Sequence, residues 1–487
     1  MTQKAVIIGA GLGGLAASIR LQSAGFQVTL IEKNSHCGGK MQRMQVGSAS
    51  FDYGPNTITM PHIFQQVLTD AGLDPDDYFS FRHLENHTTN QFKDGSSFTF
   101  SSNKEQMKTE LEKIDWSAAD QYENYLTEVG KLYEQSAAQF FKRTFHHPKT
   151  YMSPSLFKAF TKVRPFETMD HFHRRFFRDE RITAAFNRYA TYIGSSPYTA
   201  PATFGLIGHL ELSQGVYYTE GGNPSIAEGL TRAARTLGVS IHTEEAVRSL
   251  VIKDKKVTAA VTDHQVYEAD VLILNGDLMT QVPALLPPSA RPSMPDTFFN
   301  KAEPSLSAWV LLADIDESLP LNHHHVFFGE NPKEEFDAIF RRRQFAEDPI
   351  IYLCTSAKTE PERRPGGENT FILVNAPART GAEQPFSKDR LWEKLRERGL
   401  PLTKPPAAEK ILDPGFVEQQ YNAYRGALYG LSSHSKKSSF LRPGNKSRDL
   451  SNFYYCGGST HPGGGSPMVT MSGMNTADLV IKEYSLS

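Results

Sequence analysis

Three glycines and an acidic residue near the N-terminus have the spacing of a nucleotide-binding turn. Gly9, Gly11 and Gly14 follow the apolar run "KAVII", and Glu32 closes the next apolar run. The first glycine permits a tight turn, the second lets a pyrophosphate approach the backbone, and the third lets helix and strand pack closely. A carboxylate at Glu32 can accept both ribose hydroxyls. The set predicts dinucleotide binding, and a tight packing turn without a ligand is the alternative.

A second glycine-rich stretch, "CGGSTHPGGGSPMVTMSG", lies near the C-terminus. A glycine inside a helix costs roughly 1 kcal/mol relative to alanine, so this composition requires another reason. Close approach of a ligand or another backbone to Gly457 and Gly458 supplies one. We expect a helix from about Pro467, whose N-terminal amides would stabilise negative charge on a bound group. His461 lies inside the stretch and is the candidate catalytic residue.

Two further motifs decide which dinucleotide is expected. "EKNSHCGGKMQ" places Gly38 and Gly39 after Glu32, and "FDYGP" follows. With the fingerprint, these residues resemble the flavoprotein superfamily of amine oxidases and carotenoid oxidoreductases, in which such a glycine pair approaches the phosphates of FAD and a C-terminal glycine segment closes around the flavin. The resemblance implies FAD as cofactor. It also implies cofactor contacts at further positions, which are Lys40, Val247, Gly457, Gly458 and Met468.

Other segments resemble the carotenoid branch of that superfamily, the bacterial phytoene desaturase-like flavoproteins. They are "TMPHIF", "YIGSSPYTAPATF", "GVYYTEGGNPSIAEGL" and "STHPGGG". Ser459 stands where many amine oxidase relatives have an aspartate. Within the branch, "YRGALYG" and "PGGGSPMVTMSG" are most similar to the diaponeurosporene oxygenase group. This resemblance implies oxidation of a terminal methyl group of a linear thirty-carbon carotenoid to an aldehyde. Carotenoid desaturation is the alternative, and a non-catalytic prenyl carrier is the alternative from another class.

The elements that must position these residues are those of an α/β fold. Strand, glycine turn, helix and strand succeed one another from Lys4 to Glu32, as in a Rossmann-like half-unit. We expect a discontinuous FAD-binding domain of the amine oxidase type from 1–60, 215–290 and 440–487. An inserted α+β substrate domain is expected from 61–214 and 291–439, since helical periodicity dominates between about Met60 and Val216.

Composition restricts the partners. A net charge of -2 excludes the overall basicity of a nucleic-acid-binding protein, and three widely spaced cysteines favour a reducing compartment. No segment has the roughly 20 apolar residues of a membrane span. The stretch from Phe140 to Asp179 interleaves basic and aromatic residues, which predicts contact with a membrane surface through Phe172, Phe176 and Phe177. A basic helical pair packed on the core is the alternative.

Localisation, electron acceptor and metal content complete the expectations. A carotenoid substrate resides in a bilayer, so we expect peripheral membrane association on the cytoplasmic side. No second nicotinamide fingerprint is visible, which indicates molecular oxygen or a quinone as electron acceptor. The run His323–His325 invites a metal interpretation, but adjacent histidines on a strand point to opposite faces and cannot all bind one ion. A solvated turn without a metal is therefore expected there.

Overall fold

The computed structural model describes residues 2–141, 143–144, 160–379, 385–434 and 442–485 of the 487. Its strands, numbered in chain order, are β1 Lys4–Ile8, β2 Gln27–Ile31, β3 Gln42–Val46, β4 Ala49–Tyr53, β5 Phe81–Leu84, β6 Asn86–Gln91, β7 Ser97–Ser101, β8 Val216–Thr219, β9 Ser240–His242, β10 Val247–Lys253, β11 Lys256–Thr262, β12 Val266–Glu268, β13 Val271–Leu274, β14 Ser307–Ile315, β15 His324–Phe327, β16 Ile351–Thr355, β17 Glu368–Ala376, β18 Ala408–Leu412 and β19 Phe453–Tyr455.

The α-helices of the described residues are numbered in the same way. They are α1 Leu12–Ser23, α2 Pro61–Thr69, α3 Lys104–Glu112, α4 Trp116–Ser136, α5 Met169–His173, α6 Glu180–Asn187, α7 Leu206–His209, α8 Ser225–Thr236, α9 Leu278–Leu285, α10 Asp296–Asn300, α11 Pro332–Asp337, α12 Lys388–Glu397, α13 Pro414–Tyr421 and α14 Ser466–Ser485.

A five-stranded parallel sheet holds the chain segments that carry the glycine motifs. Its strand order is β19-β13-β1-β2-β9, and the pairs β1–β2, β1–β13, β13–β19 and β2–β9 are all parallel. Strands β1, β13 and β19 are buried on both faces, as parallel strands generally are, whereas the edge strand β9 is partly exposed. All carboxyl ends meet at one edge, so the residues after Ile8, Ile31, Leu274 and Tyr455 become neighbours. The predicted α/β fold with a Rossmann-like parallel sheet is confirmed.

Two layers cover this sheet. Helices α1 and α14 lie together on one face, where the backbone of Gly473 reaches that of Gly13. Apolar side chains of α9 and of the antiparallel sheet β10-β11-β12 pack on the other face, including Leu278, Val282 and Val257. Small residues on α1 permit the close helix contact, because each additional side-chain atom would hold the two axes further apart.

A seven-stranded sheet forms the second unit, in the order β18-β14-β17-β16-β15-β6-β7. It is antiparallel except between β15 and β6. Its strands come from the ranges 61–214 and 291–439 predicted for the inserted domain, whereas those of the parallel sheet come from 1–60, 215–290 and 440–487. Helix α2, at the start of the inserted range, packs on α1 and α14. The domain boundaries themselves stay a prediction.

The helical region corrects one expectation about membrane contact. Phe172 and Phe177 are fully buried and Phe176 nearly so, since all three pack around Tyr125 of α4. Aromatic rings enclosed in this way cannot insert into headgroups, so the prediction for these three residues was wrong and the core-packed alternative describes them. Residues 142 and 145–159 of the same stretch lie outside the described residues. Within the described ranges, no helix has the length and apolarity needed to cross a membrane.

The histidine run is the second correction. His323, His324 and His325 are all buried, and His324 and His325 belong to β15, an interior strand between β16 and β6. The expected solvated turn is therefore wrong. Within the strand the pleat separates His324 from His325, which bonds to Gln91 through Nε2 at 3.0 Å. His323 precedes the strand and does not follow this alternation, because its ring lies 4.5 Å from that of His324.

Asp314 of β14 joins the seven-stranded sheet to the β3–β4 hairpin. Its buried carboxylate accepts hydrogen bonds from Arg364, from Ser48 N at 2.8 Å and from Ser48 Oγ at 3.0 Å. Burial by itself raises the pKa of Asp314, but the bonds from Arg364 and Ser48 outweigh it and hold the pKa below its usual range. Ionised Asp314 therefore stabilises the folded chain.

We expect the substitution Asp314→Asn to lower the free energy of unfolding by about 3 kcal/mol, because it removes one partner of a buried ion pair. A carboxyl pKa that is lower in the folded chain contributes stability above its unfolded value, about 3.9, and loses it as pH falls through the folded value. The melting temperatures of the wild type and of Asp314→Asn should therefore become more similar as the pH is lowered from 7 to 3. Asp316→Asn is the control, since Asp316 pairs with the same arginine but is 57% exposed. Equal losses at both positions would contradict the prediction.

Candidate functional site

A cavity of about 370 Å³ opens at the carboxyl edge of the parallel sheet. Open α/β sheets bind ligands at this edge, where loops from several strands converge. The described lining residues come from both glycine-rich segments, from the Gly38–Gly39 and "FDYGP" motifs, from the loop after β13, and from β10, β14, β17 and the 421–430 segment. The polar part of the lining includes Gly9, Gly11, Gly13, Glu32, Lys33, Asn34, Gly38, Gly39, Lys40, Glu245, Asn275, Asp277, Gly457, Gly458, Ser459 and Ser466.

The N-terminal glycines hold their backbone in a turn that no side chain would fit. Gly9 has φ +97°, and a Cβ placed on it would lie 2.2 Å from the carbonyl oxygen of Asn275. Gly11 is the N-cap of α1 and lines the cavity. Gly14 is not among the described lining residues; its Cβ would lie 2.1 Å from the Gly9 carbonyl oxygen, so it packs behind the turn. The amides at the start of α1 consequently face the cavity.

Glu32 fixes the geometry of this turn. It is buried at the cavity wall, where one carboxylate oxygen accepts a bond from Ala10 N at 2.8 Å and the other from Asn34 N at 2.9 Å. Both bonds are charge-assisted, which makes them stronger than bonds between neutral groups. The carboxylate thus braces the loops that follow β1 and β2.

The Gly38–Gly39 loop lies across the start of α1. Gly38 N donates to Ala10 O at 2.7 Å, and Gly38 has φ +109°. The next residue, Lys40, donates through Nζ to the carbonyl oxygens of Ala427 at 3.1 Å and Leu428 at 2.7 Å. Burial lowers the pKa of Lys40 to about 8, against the smaller opposing effect of Asp277. Lys40 therefore ties the "YRGALYG" segment to the N-terminal motif.

The C-terminal glycines complete the cavity. Gly457 has φ +101° and donates its N–H to Ser472 Oγ at 3.2 Å, and α14 begins at Ser466 beside the cavity. A Cβ on Gly13 would lie 2.8 Å from the carbonyl oxygen of Val469. The two glycine segments thus lie backbone against backbone, which explains why glycine is needed in both.

Sequence reasoning missed two residues at the centre of the site. Asn275 donates through Nδ2 to Gly9 O at 2.9 Å, and its backbone N–H donates to Ile8 O at 2.8 Å. Asp277 accepts bonds from Ser459 Oγ at 3.0 Å and Tyr424 N at 2.9 Å. An acid from another segment therefore lies beside Ser459. The signal was the polar "NGD" directly after a buried strand.

Three predicted residues differ in their relation to the cavity. Val247 lines it at the start of β10. Met468 is half-buried and is not among the described lining residues, although the adjacent Val469 is. His461 is also absent from the described lining: its buried imidazole donates through Nε2 to Phe140 O at 2.6 Å, and burial lowers its pKa to about 4. The catalytic role of His461 stays a prediction without support from this geometry.

One wall of the cavity is apolar. It consists of side chains from β14, β17 and the 421–430 segment, namely Ala308, Val310, Phe371, Leu373, Tyr421, Leu428 and Tyr429. These face the glycine and carboxylate wall across the same space. The polar wall can bind the charged and polar groups of a cofactor, and the apolar wall can contact an apolar molecule or ring system. Cofactor sites commonly combine a mainly apolar lining with a few polar contacts.

Comparison with known proteins identifies relatives over nearly the whole chain. The profile of the family described as flavin containing amine oxidoreductase matches residues 12–481. A 1-hydroxycarotenoid 3,4-desaturase of Flavobacterium sp. (strain P99-3) is 33% identical, covering 98% of this chain and 99% of the relative. A 4,4'-diapolycopene oxygenase of Methylomonas sp is 33% identical, covering 99% and 98%. A 4,4'-diaponeurosporene oxygenase of Staphylococcus aureus (strain bovine RF122 / ET3-1) is 31% identical with the same coverage.

Solved structures share the fold at lower identity. A triple mutant of putrescine oxidase aligns with a TM-score of 0.66 at 13% identity, covering 99% of both chains. Cyclohexylamine oxidase from Brevibacterium oxydans aligns with a TM-score of 0.62 at 14% identity, covering 100% of both. At 13–14% identity, the similarity to these structures shows a shared fold alone.

Proposed function

Because the chain belongs to the family of flavin-containing amine oxidoreductases, it is an FAD-dependent oxidoreductase, and we propose that its substrate is a linear carotenoid. The observation that carries the proposal is full-length similarity of 31–33% to relatives named for carotenoid oxidation and desaturation. A carotenoid has no charge for a protein to recognise, so its reacting end must be held by apolar contacts. The apolar wall formed by β14 and β17 supports this assignment.

The residues at the cavity fit FAD. Glycine backbones line the cavity at Gly9, Gly11, the Gly38–Gly39 pair and the Gly457–Gly458 pair, so polar groups of the cofactor can approach the main chain without a side chain between them. We assign the phosphates to the amides around Gly9, Gly11 and the Gly38–Gly39 pair, and the ribose hydroxyls to Glu32. The C-terminal pair Gly457–Gly458 and the start of α14 are assigned to the flavin end.

The flavin supplies two-electron oxidation when bound. The protein holds the carotenoid end against the apolar wall and keeps bulk water away from it. We propose that a terminal methyl group becomes an aldehyde. If the oxygen atom comes from water, this takes two steps through the alcohol, each removing two electrons and two protons. In that case the electrons pass finally to O₂ or to a quinone. If it comes from O₂, one O₂ is consumed per methyl group, its second oxygen atom leaves as water, and no electrons remain for another acceptor. Similarity to 4,4'-diapolycopene and 4,4'-diaponeurosporene oxygenases supports this reaction.

A second candidate reaction is desaturation of the polyene. The similarity to a 1-hydroxycarotenoid 3,4-desaturase favours it, because the identity and coverage equal those of the oxygenase relative. Desaturation removes two hydrogens from adjacent carbons and adds no oxygen. The two reactions therefore differ in product mass.

The test is product analysis after incubation of the FAD-loaded protein, under air, with vesicles that contain diaponeurosporene, diapolycopene or diapophytoene. We expect gain of oxygen and an aldehyde at a chain end, with the oxygen source identified by ¹⁸O₂ and H₂¹⁸O in separate reactions. Loss of hydrogen pairs without oxygen would establish the desaturase instead. Heat-inactivated protein with free FAD is the control for spontaneous oxidation of the polyene, and absence of any product would contradict both reactions.

Peripheral membrane association on the cytoplasmic side belongs to the same proposal, because a linear carotenoid partitions into the bilayer. Among the described residues, Phe166 is 70% exposed, and an exposed aromatic side chain is suited to the headgroup region of a bilayer. Flotation assays check this association: the protein is mixed with carotenoid-containing vesicles of anionic lipid and, for comparison, with vesicles of neutral lipid. Protein that stays at the bottom of both gradients would contradict the association.

A further inference from the structure

A buried cluster of metal-binding side chains lies on the seven-stranded sheet, outside the described lining of the flavin cavity. His323, His324 and Cys354 each offer one ligand atom, and these atoms all lie within 4.8 Å of one another. His324 and Cys354 are directly opposite each other in the β15–β16 pair, so their side chains leave the sheet on the same face. His323 joins them from the residue before β15. All three side chains are buried.

The second nitrogen of each imidazole is already held in place. His323 Nδ1 shares a hydrogen bond with Thr359 Oγ1 at 2.6 Å, and His324 Nδ1 shares one with Tyr352 OH at 2.8 Å. Metal-binding histidines almost always have such a bond on the ring nitrogen that does not bind the metal, because it fixes the tautomer and the ring orientation. Both rings therefore have the supporting contacts of ligands.

The other nitrogen of each ring has no partner among the described residues. His323 Nε2 and His324 Nε2 are buried without a hydrogen bond. A buried polar atom without a partner is destabilising, and an ion bound between the two rings would give both nitrogens a partner. When each Nδ1 donates its hydrogen bond, to Thr359 or to Tyr352, the lone pair of the Nε2 atom is available to bind an ion.

We propose that His323, His324 and Cys354 bind a zinc ion. Two imidazole nitrogens and one sulfur form a donor set that suits Zn²⁺ and does not suit Mg²⁺ or Ca²⁺, which take oxygen ligands. Bond lengths of about 2.0–2.3 Å require the ligand atoms to move slightly closer together, and the ion displaces the proton of the thiol. His325 is not a ligand, because its Nε2 bonds to Gln91 on the other side of the strand.

The proposed ion would link β15 to β16 and, through Thr359 and Tyr352, the segments that support both histidines. Its place is separate from the flavin site, since none of the three ligands is among the described residues of the cavity wall. The zinc ion would thus be a second bound group, besides the flavin, that stabilises the fold. Its presence can be measured without an assay of catalysis.

The experiment measures the zinc content of the purified FAD-loaded protein by mass spectrometry, after incubation with Zn²⁺ and removal of free metal by gel filtration. We expect one equivalent of zinc per chain in the wild type and in the control His325→Gln. We expect less than a tenth of that in His324→Gln and in Cys354→Ala. Reconstitution with Co²⁺ should give the red ligand-field absorption of a tetrahedral site in the wild type and not in Cys354→Ala.

Absence of zinc and cobalt from the wild type would overturn the proposal, as would equal zinc in the wild type and both ligand variants. Cys354→Ala removes few atoms and keeps the strand pair intact, so it remains informative where His324→Gln fails to fold. Bound flavin absorbance serves as the folding check for each variant. We expect removal of the metal with a chelator to lower the melting temperature of the wild type and to leave that of Cys354→Ala unchanged.

Discussion

Glu32→Ala is expected to reduce the affinity for FAD about 100-fold. The substitution removes two charge-assisted bonds, to Ala10 N and Asn34 N, and also the carboxylate that we assign to the ribose. Hydrogen bonds to charged groups contribute about 1.5–3 kcal/mol each, and a change of about 2.7 kcal/mol corresponds to 100-fold in a dissociation constant. The affinity is measured by adding FAD to the flavin-free protein and following the change in flavin fluorescence on binding.

Glu32→Gln separates the two contributions. An amide can accept one of the two backbone bonds through its oxygen, but its NH₂ group faces the other N–H donor, so we expect about 10-fold weaker binding. Glu228→Gln is the control, because Glu228 lies on α8, pairs with Arg43 and has a 48% exposed side chain. Flavin affinity within two-fold of wild type for Glu32→Ala would contradict the assignment of the site.

Gly473→Ala should have the largest effect on stability. A Cβ on Gly473 would lie 2.0 Å from the carbonyl oxygen of Gly13 and 2.8 Å from its carbonyl carbon. The added Cβ would collide with backbone atoms of α1, which cannot rotate away as a side chain could. Helix α14 must therefore move away from α1. Overpacking of a core costs about 1–3 kcal/mol and more where nothing can yield; we expect at least about 3 kcal/mol. Because α14 follows the Gly457–Gly458 segment, bound flavin should fall as well.

The melting temperature and the flavin-to-protein absorbance ratio of the purified variant measure both effects. Gly130→Ala is the matched control: Gly130 lies within α4, and the nearest atom to its added Cβ is 3.6 Å away. Alanine has the higher helix propensity, so this control should be neutral or more stable by up to about 1 kcal/mol. Comparable losses for the two glycine variants would mean that the α1–α14 contact is not as close as described.

Sequence reasoning predicted the fold and the glycine motifs that line part of the cavity for a physical reason. Gly9, Gly11 and Gly14, with Glu32 after the next strand, form a local pattern whose geometry is determined by neighbouring residues in the chain. The same holds for Gly38 and Gly39. A turn of positive φ beside a helix N-terminus requires glycine whatever the remainder of the protein does, so such motifs can be recognised without a structure.

It failed where a side chain's surroundings come from distant segments. The aromatic and basic pattern around Phe172 is equally consistent with a membrane surface and with a buried helix, and only the packing of Tyr125 against it decides between them. The polarity of His323–His325 suggested solvent, yet strands β6 and β16 enclose the run on both sides. Hydropathy reports what a residue prefers, whereas burial depends on what the fold places over it.

The sequence alone therefore determined the parallel sheet and the dinucleotide-binding fingerprint, because glycine spacing and apolar periodicity act over a few residues at a time. The flavin and the family followed from the resemblance of several motifs to those of known flavoproteins. Only the tertiary structure decided that Asn275 and Asp277 complete the site, that His461 contacts Phe140 outside the described cavity wall, and that Cys354 lies opposite His324. These contacts join residues far apart in the chain. Their geometry follows from strand order and helix packing, which one-dimensional spacing does not encode.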